Sequence, residues 1–201
     1  MKRAAALLIV CLSGGGAIAA PALALPGLGA DSHRSVVDVN TAPWRILGRV
    51  QTSLGGRCTG FAVAPTVMLT AAHCLWLPAT RRYIQPADVH VLMGYAMGHY
   101  RLHAQVTRFV IAPGYDPANE GGTASEDRAT LVLDRPVVLS GDLVPYGSAQ
   151  MGAAAMLVGY PQDRPEVPYG DISCQINGLA LNGLIHHDCS ATRGDSGGPL
   201  F

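Results

Sequence analysis

Apolar residues in this chain recur in short runs with a two-residue alternation, and no long stretch keeps a helical period. Val89-His90-Val91-Leu92-Met93 is one such run, and Leu102 to Ile111 is another. Alternation of this kind marks strands that bury one face. The same pattern predicts strands over Ile46 to Thr52, Cys58 to Leu69, Val89 to Tyr95, Leu102 to Ile111, Thr130 to Leu133 and Ala154 to Tyr160, separated by Gly- and Pro-rich breaks. Gly55-Gly56 and Asn182-Gly183 supply hairpin turns. Many short strands at regular spacing predict an all-β chain built as a sandwich or barrel. A seam is expected from Arg135-Pro136 to Gly141-Asp142, dividing residues 25–139 from 140–201. Residues 112–127 form one long polar loop, and its acidic residues do not follow the spacing of an EF-hand calcium loop.

The first residues follow a different pattern. Lys2 and Arg3 precede an apolar run from Ala4 to Leu12, and small residues continue to Ala20, the layout of a secretory signal peptide. The run is too short to span a bilayer. Ala22-Leu23-Ala24 offers a cleavage site and Ala17-Ile18-Ala19 another; with the first, residues 1–24 leave and Leu25 opens the mature chain. An exported location, secreted or periplasmic, follows.

Composition sharpens that reading. Of five cysteines, Cys11 lies in the leader, and the remaining Cys58, Cys74, Cys174 and Cys189 read as disulfides in an oxidising compartment. Four cysteines allow three connectivities. Proximity favours Cys58–Cys74 and Cys174–Cys189, and a reversal at Asn182-Gly183 brings the second pair opposite one another. Basic and acidic residues balance over the whole chain, at 14 of each. Loss of Lys2 and Arg3 leaves a net charge of about −2. No basic excess is available to neutralise phosphates, which excludes nucleic acid as the expected partner. No basic amphipathic helix points to a membrane surface.

Two nucleophile patterns fit Gly194-Asp195-Ser196-Gly197-Gly198. The elbow of α/β-hydrolases requires its acid and histidine later in the chain, and none follows Ser196. The other pattern takes histidine, then aspartate, then serine. "LTAAHC" places His73 at a strand end beside Cys74, "EDRATLVLDRPV" places Asp127 just before an alternating strand, and "GDSGGP" follows. In this order the three motifs resemble the trypsin/chymotrypsin-like serine protease family. "APWRILGRV", "CTGFAVAP", "VGYP" and "HDCSATRGDSGGP" resemble its bacterial glutamyl-endopeptidase-like branch.

The resemblance implies two antiparallel six-stranded β-barrels of the chymotrypsin-like kind: an N-terminal barrel over residues 25–139, and a C-terminal barrel over 140–201 that is incomplete after Phe201. It implies catalysis by His73, Asp127 and Ser196, an oxyanion hole from the N–H groups of Gly194 and Ser196, and a specificity pocket with Ser190 at its floor. A neutral Ser190 gives no support for a basic-residue preference. No cofactor or metal is implied, and the partner is a protein or peptide substrate acted on by a monomer. Asp195 would pair with an amine terminus lying between Leu25 and Val36, because Ile46 reads as the first barrel strand. A non-catalytic binding protein on the same scaffold and an exported esterase are the competing functions.

Other chemistry-bearing residues read as structural. Asp116 and Asp134 sit in turns. His186 and His187 are neighbours whose side chains point to opposite faces of a strand, which disfavours chelation within His186-His187-Asp188-Cys189. His99 and His103 read as exposed sheet positions.

Overall fold

A computed structural model describes residues 25–28 and 33–201. The signal peptide expected over residues 1–24 lies outside the described residues. Among the described residues the regular structure is almost entirely β, with twelve strands and short 3-10 turns. In chain order the strands are β1 (Arg34–Val36), β2 (Leu47–Thr52), β3 (Arg57–Ala64), β4 (Val67–Thr70), β5 (Trp76–Leu77), β6 (Arg82–Tyr83), β7 (Val89–Met93), β8 (Leu102–Ile111), β9 (Ala129–Leu133), β10 (Ala154–Gly159), β11 (Tyr169–Leu179) and β12 (Ile185–His187). No helix among the described residues is long and apolar enough to cross a membrane.

Six strands close a barrel in the order β2-β3-β4-β9-β8-β7. Its interior is filled from alternate positions: Val89, Val91 and Met93 from β7, Ala104 and Val106 from β8, Ala129, Leu131 and Leu133 from β9, with Val50 and Met68 opposite. Closure removes free edges, so each barrel strand is paired with a neighbour on both sides. The predicted strand over Cys58 to Leu69 is two strands, because Pro65-Thr66 turns the chain between Ala64 and Val67. Proline cannot donate to a ladder, and the hairpin forms there. The Gly55 turn carries φ +86°, a left-handed conformation that suits glycine. The β11–β12 connection turns at Gly183, with φ +84°.

The second sheet holds four strands around β11, which pairs with β10, β1 and β12. Arg34–Val36 therefore belongs to the second sheet, in register with Tyr169 to Asp171, although it precedes the barrel in sequence. Arg34 makes a two-point salt bridge to Asp163 at 3.1 and 2.5 Å. Upstream, the Gly27 carbonyl accepts a hydrogen bond from Ala191 N at 3.1 Å. At the other end, Phe201 exchanges both backbone hydrogen bonds with Met156, each 2.9 Å, along the free side of β10. Disulfides join Cys58 to Cys74 and Cys174 to Cys189, the first within the barrel and the second across β11 and the segment after β12.

Barrel and sheet are joined by a polar and aromatic seam. Arg49 of β2 stacks 3.6 Å over the Tyr95 ring and bonds the Pro165 carbonyl at 3.0 Å. Tyr95 in turn donates to Glu166, and the buried Tyr160 hydroxyl donates to the Tyr95 carbonyl at 3.2 Å.

Candidate active site

His73 sits in the 3-10 turn Ala72–Leu75 that follows β4, and Asp127 sits one residue before Arg128 and the start of β9. β4 and β9 are paired in the barrel, which brings these two strand-end loops together. Both carboxylate oxygens of Asp127 are used on His73: the backbone N–H donates to Oδ1 at 2.9 Å, and ring Nδ1 lies 2.6 Å from Oδ2. An ionised carboxylate can only accept, so the proton resides on Nδ1 and Nε2 is left as the basic nitrogen. The hydrogen bond to Asp127 raises the His73 pKa above the ordinary imidazole value, against the opposing effect of burial. Burial pushes the Asp127 carboxyl upward, but the side-chain and backbone hydrogen bonds from His73 outweigh it and hold the group below the usual carboxylate range.

Ser196 is delivered by the loop 192–198 against the same side of the barrel. Its carbonyl accepts from Thr59 N at 2.9 Å. A Cβ on the next residue, Gly197 at φ +80°, would lie 2.4 Å from the Thr59 carbonyl oxygen and 2.7 Å from Ala71 N. The serine backbone is thus pressed onto the residues flanking His73, and only glycine fits at 197. The Ser196 hydroxyl is half-buried and makes no hydrogen bond among the described residues, so no bond to His73 is formed in this structure.

The N–H groups of Gly194 and Ser196 also have no partner among the described residues, while the carbonyls of their peptide units are held from behind. Arg193 O accepts from Gln162 N at 2.6 Å, and Asp195 O accepts from Gly198 N at 2.8 Å. In a planar trans peptide the C=O and N–H point in opposite directions. Pinning these carbonyls fixes the orientation of both N–H groups, which stay without a partner among the described residues. Gly194 holds φ +97°, and a Cβ there would meet the Tyr160 carbonyl at 2.3 Å.

Asp195 points the other way, into the interior, and is 6 % exposed. Its Oδ2 accepts from Thr192 N at 2.9 Å. Oδ1 is buried without a partner. Burial pushes this carboxyl up to about 7, opposed by the Thr192 N–H and by the Arg34 charge. Ser190 N donates to Asp171 Oδ2 at 3.0 Å. Asp171 is buried in β11, and its other oxygen takes Ser173 N at 3.1 Å and the Ser173 hydroxyl at 3.4 Å. This acid is occupied by the main chain around Ser190.

The remaining candidates are engaged locally. Asp116 accepts from Ala118 N at 2.9 Å within its own loop. Asp134 accepts from Gln105 N at 3.0 Å and pairs with Arg135 at 2.8 Å. His186 and His187 occupy β12 without converging on each other's partners, His186 packing over Gly178. His99 closes a turn with Ala96, and only His103 lies in β8, where its ring nitrogen is 3.0 Å from that of His90. Among the described residues, Cys58, His73 and Cys74 form the grouping with metal-like spacing. Both sulfurs are spent in one disulfide, so it offers no thiolates.

Sequence reasoning misses Thr59, Gln162 and Asp171, each of which holds part of the site. None lies in a motif. Thr59 reaches Gly194 across 135 positions of sequence, and no local pattern signals such a contact.

A sequence model described as "Trypsin" matches residues 34–201. The curated relative "Glutamyl endopeptidase" of Bacillus licheniformis is 23% identical over 180 residues, covering 87% of this chain and 54% of the relative. The chain thus spans about half the length of that relative. A solved structure of a Glu endopeptidase in complex with MPD superposes with a TM-score of 0.56 at 21% identity, over 82% of this chain and 93% of that one.

Proposed function

Since the chain belongs to the trypsin family, we propose that it is an exported serine endopeptidase that hydrolyses peptide bonds through an acyl-enzyme on Ser196. The observation that carries this reading is the double hydrogen bond of Asp127 to His73, which leaves Nε2 as the unprotonated ring nitrogen. Support comes from the N–H groups of Gly194 and Ser196, which have no partner among the described residues and whose peptide carbonyls are anchored.

In the proposed reaction the Ser196 oxygen attacks the scissile carbonyl carbon while His73 Nε2 takes the hydroxyl proton. The carbonyl π electrons move onto oxygen, and the N–H groups of Gly194 and Ser196 receive the resulting oxyanion. Collapse expels the amine, which leaves with the proton from His73. Water then enters by the same route: His73 deprotonates it, the ester is cleaved, and the proton returns to Ser196. Asp127 holds the ring in the productive tautomer and stabilises it while it is charged.

The substrate is a protein or peptide, met by a single chain of the enzyme. Neutral Ser190, with Asp171 taken up by the main chain around it, gives no support for a basic-residue preference. Two disulfides fit an oxidising compartment.

Fluorophosphonate labelling of the folded protein tests the proposal. Covalent modification of wild type, lost in Ser196→Ala and accompanied by a fall in peptide hydrolysis of about a millionfold, is the expected result. Folded wild type that neither labels nor cleaves peptides would leave a binding protein on the same scaffold. Cleavage of esters but no peptides would favour the esterase.

A further inference from the structure

We propose that the Thr59 hydroxyl is a positioning group for the oxyanion donors, acting through Gly194 and Tyr160 without touching substrate; the role in catalysis rests on the serine-protease reading above. Thr59 follows Cys58 in β3 and is fully buried. Its Oγ1 donates to the Gly194 carbonyl at 2.8 Å and accepts from Tyr160 N at 2.9 Å. Its own N–H donates to the Ser196 carbonyl at 2.9 Å, and its carbonyl accepts from the Thr70 hydroxyl at 2.7 Å. One barrel residue therefore grips the serine loop and the end of β10 at once.

The consequence follows from the peptide geometry at Gly194. Glycine at φ +97° has no side chain to hold its backbone, so the two flanking peptides need external anchors. The peptide after it is held directly, by the Thr59 hydroxyl on Gly194 O. The peptide before it is held by Gln162 N on Arg193 O. Gln162 is two residues beyond Tyr160, whose N–H ends on the same Thr59 hydroxyl. Two of the anchors around Gly194 thus trace back to one oxygen atom, beside the bond from Asp195 N to the Thr192 carbonyl at 3.1 Å. Space is reserved for it: a Cβ at Gly159 would lie 2.5 Å from Thr59 Oγ1.

Removal of the hydroxyl leaves two backbone groups unpaired, the buried Tyr160 N–H and the partly buried Gly194 C=O. These peptides then shift to find partners, and the Gly194 donor turns off its aim.

Four side chains at position 59 separate the hydroxyl from packing. Threonine and Thr59→Val differ by a hydroxyl for a methyl, whereas Thr59→Ser and Thr59→Ala differ by the hydroxyl alone. The readout is saturable labelling of Ser196 by a fluorophosphonate, whose product resembles the tetrahedral intermediate and which needs no knowledge of substrate preference. The limiting inactivation rate is expected to fall by about tenfold or more from threonine to valine and again from serine to alanine, less than the roughly hundred- to thousandfold that follows outright loss of an oxyanion donor, because the donor is misaimed and not removed. The half-saturating concentration should change little, and Thr59→Ser should retain most of the wild-type rate. Equal rates within both pairs would overturn the proposal, and should valine prevent folding, the serine–alanine pair decides.

Amide hydrogen exchange at Tyr160 supplies a second readout that does not depend on activity. Exchange should quicken in the valine and alanine variants and stay slow in serine; no change in any variant would overturn the latch. Should wild type fail to label at all, the protease reading falls, and exchange at Tyr160 still decides whether Thr59 holds these segments.

Discussion

His73 and Asp127 set the pH response of the site through one shared proton. Asp127 raises the His73 pKa above the usual imidazole value, and only neutral His73 can act as base. Activity is therefore expected to fall as pH drops through a midpoint above about 6.5. Asp127→Asn should lower that midpoint and reduce turnover by about ten-thousandfold. A pH profile of labelling rate checks both, and a flat profile to pH 4 removes His73 from the mechanism. Stability takes opposite signs from the two partners: the raised His73 favours folding below its unfolded value, an advantage lost as pH rises through the folded value, whereas the lowered Asp127 favours folding above the unfolded carboxylate value and loses it in acid. Asp195 behaves differently, because burial pushes it up to about 7. The folded chain keeps this proton when the unfolded chain has lost it, so its contribution is complete below about 3.8 and disappears as pH climbs toward 7. Thermal midpoints of unprocessed wild type should fall across that window relative to Asp195→Asn. Parallel midpoints would show that another cation already neutralises Asp195.

Among the elements, the barrel strands were the legible part of the sequence. β7 and β8 alternate because one face fills a closed interior, and the prediction of Leu102 to Ile111 coincides with β8. β11 escaped the same reading: Tyr169–Leu179 carries Gly170, Asp171 and Ser173, its burial does not alternate, and its pairing shifts register between Ile176 and Gly178. Its buried acid serves the main chain around Ser190, so a polar residue stands where a pattern search expects an apolar one. The motif residues were legible for the opposite reason: His73, Asp127 and Ser196 each sit at a strand end or turn where local residues announce the geometry, while Thr59 is an ordinary strand residue whose partners are remote. The loop 194–198 owes its shape to glycine at two left-handed positions. Gly197→Ala combines an unfavourable φ with overlap onto Thr59 O and Ala71 N. It is expected to abolish fluorophosphonate labelling while the barrel stays folded, read from circular dichroism on the same sample. Undiminished labelling would mean that the loop can shift as a body without displacing Ser196.

Across the whole molecule, the N-terminal stretch is tied into the second sheet. The order of elements hides its place: β1 precedes the barrel but pairs with β11, so Arg34 stands opposite Asp171. Val37 and Val39 are buried behind it, and Arg34 is bound to Asp163 by two hydrogen bonds while its charge bears on Asp195. Ile46, by contrast, is 3 % exposed and packed in the barrel core, where a charged terminus would be costly to bury. A chain opened at Ile46 would forfeit an edge strand, two buried valines and the Arg34–Asp163 ion pair. N-terminal sequencing of the proposed exported protein is therefore expected to begin in the upstream part of the Leu25–Val36 window, at or before Arg34, since a start at Ser35 or Val36 would also lose the Arg34 pair. The same argument predicts the behaviour of a chain begun deliberately at Ile46. Its barrel amides should stay protected, because all six barrel strands remain, while amides of β10 and β11 exchange faster and labelling of Ser196 drops. A fully active protein that starts at Ile46 would show that the second sheet and the buried Asp195 carboxylate manage without the segment that now covers them.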